Sequence, residues 1–286
     1  MEEKPIKELL EFSIINVDKP AGITSFKTAD KVRKILEAKK AGHFGTLDPK
    51  VTGVLPVAIN RACKLSNYFM KKDKVYIGEM HVHSPIDERT LKNEMEKFVG
   101  NIMQKPPVKS RVKRVLRERK VHRFEIIGID KKGRGNLVKF KSDVQAGTYI
   151  RKLISDLGEN IGGAHMVSLR RIRAGIFEEK SLVSLEEISN AFQSYKKGNE
   201  EKLREILIPG EIIRQIITSM QVREECLERL FNGREIRAED VKGKIPNSQM
   251  FSVFSKNKFI GIYNKVENMK NKEGEDIIAK PDFVKN

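Results

Sequence analysis

The 286-residue chain has no tryptophan and two cysteines, Cys63 and Cys226, far apart and in no CxxC pair. Two thiols are too few for a disulfide framework or a four-thiolate zinc centre, and a reducing compartment, the cytosol, fits that usage. No window approaches the ~18 consecutive apolar residues of a spanning helix. The charged start Met1-Glu2-Glu3-Lys4-Pro5 has no apolar stretch behind it of the kind a secretory leader needs, so no membrane is expected. GxxxxGK[ST], GxGxxG after a strand and HExxH are also missing, which disfavours nucleotide-driven, dinucleotide and zincin chemistry. Acid is the remaining shortage: 39 Asp and Glu stand against 56 Lys and Arg, a net charge of +17. That excess points to a polyanion, with nucleic acid leading, because Lys and Arg that neutralise phosphates release condensed counterions.

What is present reads as a folded protein of mixed class. Ser13 to Val17 has the apolar run of a strand and ends at the turn Lys19-Pro20-Ala21-Gly22. Thr24 or Ser25 can cap a helix in which Phe26, Ala29, Val32, Ile35 and Leu36 recur at helical spacing through Ala38. Gly42 to Gly53 reads as a loop, residues 60–71 as a short helix and 75–83 as a strand, after which Asp87 can cap a further helix. Strands are expected from 112 to 144, and a helix from Thr148 to Ile161 that stops at Gly162-Gly163.

The absence of a regular βαβ beat favours α+β, a mixed, largely antiparallel sheet. After Pro209-Gly210 the pattern restarts, with a helix at 222–232 and a hairpin made by Met250–Phe254 and Phe259–Tyr263. The expected division is a domain over 1–210 and a small, mostly-β one over 211–286, whose last dozen residues are expected to be poorly ordered.

Three features carry possible chemistry. Lys105 to Arg123 holds nine basic residues (Lys105, Lys109, Arg111, Lys113, Arg114, Arg117, Arg119, Lys120, Arg123) against the single acid Glu118; a solvated face or a phosphate-binding face would both look this way, and the whole-chain charge tilts toward phosphate. His81 and His83 point to one side of a strand, but two ligands do not make a zinc site, so they read as a polar strand face and no metal is expected. The loop His43-Phe44-Gly45-Thr46-Leu47-Asp48-Pro49-Lys50-Val51-Thr52-Gly53 sets one carboxylate among glycines, although Asp-Pro alone is simply a turn signal.

Taken with Lys19-Pro20-Ala21-Gly22-Ile23-Thr24-Ser25, Lys74-Val75-Tyr76, Ala146-Gly147-Thr148-Tyr149-Ile150-Arg151 and Gly163-Ala164-His165-Met166-Val167-Ser168-Leu169-Arg170-Arg171, that loop closely resembles the TruB family of pseudouridine synthases. The resemblance runs in consistent order from about residue 13 to about 210, and more loosely to a PUA domain beyond it. Met80-His81-Val82-His83, and Pro106 to Arg114 with Arg117 to Val121 behind it, resemble the archaeal and eukaryotic (dyskerin) branch, which supplies the catalytic subunit of H/ACA guide ribonucleoproteins.

The resemblance implies isomerisation of uridine to pseudouridine in RNA with no cofactor. It implies Asp48 as the catalytic aspartate, Arg151 as its ion-pair partner, and Tyr76 as the aromatic that stacks on the target base and can remove its C5 proton. Leu169 is implied to pack against that base, Tyr149 to be a second aromatic of the pocket and His43 to lie close to the vacated space. Lys19, Pro20 and Gly22 are expected to shape the turn under the loop. The implied partners are guide RNA, target rRNA, possibly tRNA, and three small accessory proteins. A guide-independent enzyme acting on the tRNA T-loop, and a non-catalytic RNA-binding scaffold in ribosome assembly, remain the alternatives. Two departures stand out: Phe26 where many members have His, and Phe44 where the family has a small residue.

Overall fold

The computed structural model describes residues 4–106, 113–271 and 274–285, which divide into two units, one ending at Ile208 and the other beginning at Pro209. The first contains strands β1 (Ser13–Lys19), β2 (Ala41–His43), β3 (Thr52–Ile59), β4 (Lys74–Val82), β5 (Gly100–Gln104), β6 (Arg117–Lys132), β7 (Gly135–Val144), β8 (Ala164–Ala174) and β9 (Phe177–Glu178). Its helices are α1 (Ile6–Glu11), α2 (Ser25–Ile35), α3 (Ser66–Met70), α4 (Glu88–Glu96), α5 (Ile150–Asn160), α6 (Leu185–Lys196) and α7 (Glu201–Ile206), followed by the short strand β10 (Ile208–Pro209). The large sheet is ordered β10-β1-β3-β8-β4-β7-β6-β5, with β2 on β3 and β9 on β8. β3 and β8 run parallel, while β1 with β3, β4 with β7 and β8, and β6 with β5 and β7 are antiparallel. The expected α+β class with a mixed, largely antiparallel sheet holds.

Local chemistry explains the helix ends. Thr24 caps α2 by accepting from the Lys27 amide, and Asp87 caps α4 by accepting from that of Thr90. α2 stops at Ile35, short of Ala38, where Glu37 takes a left-handed φ of 53°. The 60–71 segment is a 3₁₀ run, Asn60–Leu65, followed by α3. Gly42 and His43, expected in a loop, pair with Ala58 and Val57 of β3 instead. α5 sends Leu153, Ile154 and Leu157 into the core cluster that also holds Met80, Val138 and Phe140. At about 2 kcal/mol for each fully buried aliphatic side chain, this packing holds a helix too short to persist alone.

The second unit carries β11 (Ser219–Gln221), α8 (Leu227–Phe231), β12 (Ile236–Arg237), β13 (Met250–Ser255), β14 (Lys258–Lys270) and β15 (Asp276–Val284), in a sheet ordered β11-β13-β14-β15-β12. The β13–β14 hairpin forms as expected. The helix anticipated at 222–232 is shorter, because the Val222 amide is committed to the Phe254 carbonyl and Val222 bridges Val241. Asp276–Val284, most of the last dozen residues expected to be poorly ordered, form β15 instead: it pairs with β14, and Ile277 and Ala279 alternate into the core, while Asn286 lies outside the described residues. Their period of two is masked in the sequence by the charged residues on the outer face of the strand.

Candidate active site

The loop between β2 and β3 is held from beneath by side chains that do not belong to it. Asp48, Pro49, Lys50 and Val51 make a tight turn, closed by the Val51 amide on the Asp48 carbonyl at 3.0 Å, so the Asp-Pro turn signal is also realised. The buried Ser25 hydroxyl donates to the Leu47 carbonyl at 3.0 Å and accepts from the Leu47 amide at 2.7 Å. Lys19, fully buried, donates through Nζ to the carbonyls of Pro20, Pro49 and Val51 at 2.9, 3.1 and 2.8 Å, and the Gly22 amide donates to Pro49 at 2.9 Å. The expected shaping role of the Lys19–Gly22 turn is visible in these bonds.

Arg171, on β8 and 1% exposed, is the third anchor. Its Nε donates to the Val54 carbonyl at 2.7 Å and its Nη2 to that of Gly45 at 3.0 Å. Gly53 lets β3 approach it, for at φ +97° a Cβ there would lie 2.2 Å from the Arg171 carbonyl oxygen. Phe44 stacks on Phe69 with centroids 5.0 Å apart and tilts against Phe177 at 6.4 Å, so the departure at this position fills an aromatic core under the loop.

On this base Asp48 stands half-exposed and ion-paired with Arg151 in the first turn of α5. Tyr149 precedes that helix as its N-cap and is tied to β5 twice: its amide donates to Gln104 Oε1 at 3.0 Å, and its carbonyl accepts from Gln104 Nε2 at 3.3 Å. Tyr76 lies opposite Arg171, and Leu169 opposite Gly78, in the β4–β8 register. Both side chains are buried in the cluster that contains Leu47 and Val51, on either side of Asp48. A Cβ at Gly78 would lie 2.8 Å from Leu169 Cδ1, so the glycine makes room for that side chain.

His43 is half-buried, and its Nδ1 is buried without a hydrogen-bond partner among the described residues. Burial, then the charge of Arg171, lowers its pKa and favours the neutral ring. Thus Asp48 and Arg151 touch, Tyr76 and Leu169 share the packed floor, and His43 and Tyr149 lie on the chain segments that lead into the loop and into α5.

In the sequence Ser25 reads as no more than a possible cap, and Lys74 and Arg171 carry no assigned role at the site. A signal for Arg171 was present, since consecutive residues of a strand face opposite sides and one of Arg170-Arg171 had to turn toward the core face. Arg170 is the outer one, bidentate to Asp18 with both contacts at 3.0 Å.

Lys74 is buried, and its Nζ donates to the carbonyls of Met70, at 2.6 Å, and Lys72. Burial, then the charge of Arg171, pushes its pKa down to about 8. The unfolded chain then binds more protons between pH 8 and 10.5, so this group's contribution to stability rises with pH across that window and is flat below it. The unfolding free energy of wild type relative to Lys74→Met is expected to move in favour of wild type by about 2–3 kcal/mol from pH 7.5 to pH 10.5 in denaturant titrations. A pH-independent difference would refute the burial argument.

Of the basic run, Lys109 and Arg111 lie outside the described residues. Lys113, Arg114, Lys120 and Arg123 are exposed, and Arg119 approaches Gly147, where a Cβ would lie 3.1 Å from its Nε. Positive charge on β6 therefore adjoins the segment that leads into Arg151.

A carboxylate paired with arginine on a braced loop, over an aromatic and aliphatic floor, belongs here to a pseudouridine synthase fold. Residues 33–89 match the family described as TruB family pseudouridylate synthase (N terminal domain), and residues 151–213 match the tRNA pseudouridylate synthase B C-terminal domain. The "Probable tRNA pseudouridine synthase B" of Methanopyrus kandleri is 40% identical over 242 residues, covering 84% of this chain and 70% of that protein. The protein of the same name from Methanocaldococcus jannaschii is 42% identical over 236 residues, covering 82% and 69%. A chain of the archaeal box H/ACA sRNP Nop10-Cbf5 complex superposes with a TM-score of 0.84 at 31% identity, covering 99% of this chain and 88% of that one. A chain of an H/ACA RNP bound to a substrate RNA containing 2'-deoxyuridine gives 0.85 at 31% identity, covering 98% and 87%. The chain belongs to the TruB family: it is an RNA pseudouridine synthase.

Proposed function

We propose that this chain converts selected uridines of rRNA, and of tRNA, as the catalytic subunit of a guide-RNA particle, with Asp48 as its catalytic group. The observation that carries the assignment of the site is the Asp48–Arg151 ion pair on a loop braced by Lys19, Ser25 and Arg171. Isomerisation breaks the C1′–N1 bond, turns the uracil and forms C1′–C5; the proton lost from C5 is balanced by the one gained at N1. A carboxylate can assist either by adding to C1′ or by removing the 2′ proton, and both need it ionised. Arg151 pairs with the carboxylate and orients it when RNA excludes water. Tyr76 stacks on the extracted base and is placed to take the C5 proton, Leu169 packs against the base, Tyr149 adds a second aromatic wall and His43 borders the space the uridine leaves. Stacking offsets the few kcal/mol that extraction costs.

In this reading the domains run over 1–210 and 211–286, the second a PUA-like module that anchors guide RNA, and the exposed basic residues of β6 track phosphate. The H/ACA structures, which are complexes with Nop10, with Gar1 and with substrate RNA, support a protein that works with RNA and small protein partners; in this reading the accessory subunits number three. No described helix is long and apolar enough to cross a membrane; the cytoplasmic location in this reading rests on the two free cysteines. The curated relatives' names favour a second reading, direct modification of tRNA.

Purified chain incubated with tRNA transcript, and separately with guide RNA, accessory proteins and matched target, separates the two when pseudouridine is mapped by carbodiimide and primer extension. Conversion only with the guide assembly is expected. Conversion of bare tRNA alone would establish the second reading, and RNA binding without conversion in either mixture would leave a scaffold.

A further inference from the structure

His81 on β4 and His83, one residue beyond its end, acquire a third imidazole that no local spacing reveals. His165 of β8 lies directly opposite His81 in the antiparallel register. One nitrogen of each ring falls within 4.8 Å of the others, His83 Nε2 and His165 Nδ1 are 2.8 Å apart, and the ring centroids are separated by 5.1 to 5.7 Å. A strand residue and its cross-strand partner share one face of a sheet, and the His83 amide extends the pairing by bonding the Gly163 carbonyl, so the backbone itself brings the three together.

The surroundings are shaped around these rings. The His83 amide donates to the Gly163 carbonyl at 2.9 Å, and Gly163, at φ +109°, offers a bare Cα to the imidazole; a Cβ there would lie 2.4 Å from His83 Nδ1. His81 is half-buried, while His83 and His165 are open to solvent. The cluster is separate from the uridine site. It lies five residues along β4 from Tyr76, roughly 16 Å at about 3.3 Å per residue, and on the opposite face, since Tyr76, Met80 and Val82 point into the core.

We propose that His81, His83 and His165 bind a divalent transition-metal ion, zinc above all, through three imidazole nitrogens, with water completing a tetrahedron. Imidazole suits zinc, and three protein ligands with one open position form a recognised zinc arrangement. Zn–N bonds of about 2.0–2.1 Å require nitrogens about 3.3–3.4 Å apart. The present spacing brackets that value, so small ring rotations suffice once the ion replaces the His83–His165 hydrogen bond. Both strands are ligated, so the ion ties β4 to β8 where the chain enters β8 from Gly162-Gly163.

The test uses the untagged full-length chain after chelator treatment, titrated with Zn²⁺ in competition with a chromophoric chelator. One equivalent is expected, weakened at least ~10–100-fold by each of His81→Ala, His83→Ala and His165→Ala, because loss of an outer-shell partner alone costs that much. Co²⁺ is expected to give the visible absorption of a tetrahedral nitrogen site, absent in His165→Ala. In the wild-type chain, Zn²⁺ is expected to protect the three histidines, and not His122, from diethylpyrocarbonate in peptide mass spectra. That measurement needs no variant to fold. Equal modification with and without Zn²⁺, or an equivalent of Zn²⁺ retained in the triple variant, would overturn the site. None of these readouts depends on pseudouridine formation.

Discussion

Asp48→Asn is expected to leave the chain folded and bound to RNA while single-turnover conversion of uridine falls by ~10⁴-fold. The carboxylate is half-exposed and paired only at its tip with Arg151, so an isosteric amide removes the charge without disturbing the Leu47 and Val51 anchors on either side. An amide can neither add to C1′ nor accept the 2′ proton at neutral pH. Arg151→Ala is expected to lower the same rate less, by about 10²-fold, with binding in gel-shift titrations unchanged. The guanidinium positions the carboxylate and does not touch the bond being broken. Conversion by Asp48→Asn within tenfold of wild type would remove Asp48 from the chemistry. An Arg151→Ala protein that lost affinity alone would make the arginine a phosphate ligand.

Arg171→Met is expected to lower stability by about 3 kcal/mol and to slow conversion although residue 171 need not touch RNA. The guanidinium is fully enclosed, and its removal takes a donor from both the Val54 and the Gly45 carbonyl; an acceptor left unsatisfied in a buried site costs about 1–3 kcal/mol. Gly45 belongs to the active loop, so the loss is mechanical as well as energetic. Arg171→Lys is expected to recover only part of the stability, because an ammonium on a flexible stem does not reproduce the planar fork that reaches two carbonyls at once. Denaturant midpoints and single-turnover rates of the two variants check this. A midpoint for Arg171→Met equal to that of wild type would mean that the loop is held by Lys19 and Ser25 alone. The same substitution removes a positive charge beside Lys74, so its pKa should climb from about 8 and the rise of stability with alkaline pH should flatten.

Much of the site was legible because its residues sit in contiguous motifs. Asp48 lies in a glycine-flanked loop, Arg151 in the first turn of a periodic helix and Tyr76 at the head of a strand, and each signal is local. Residues that hold the site from a distance left no such trace. Ser25 reads as one of two candidate caps, yet Thr24 caps α2 and Ser25 pins Leu47, a choice made by a loop 22 residues away. Lys19 looks like a turn residue, and only the returning chain shows that its ammonium is buried under Pro49 and Val51. Near the C-terminus the charged composition hides a weak alternation, and only the pairing of β15 with β14 makes it a strand.

By itself the sequence determined the chemistry available to this protein: an RNA-seeking positive charge, the motif set of an RNA pseudouridine synthase, and the α+β class, all properties of composition and of short runs. The tertiary structure alone decided which side chains meet. Parallel pairing of β3 with β8 brings Arg171 to the active loop, and antiparallel pairing of β4 with β8 brings His165 to His81 and His83. The physical reason is the register of the sheet. Hydrogen-bonded pairing joins residues whose separation along the chain carries no information about which of them will stand opposite each other.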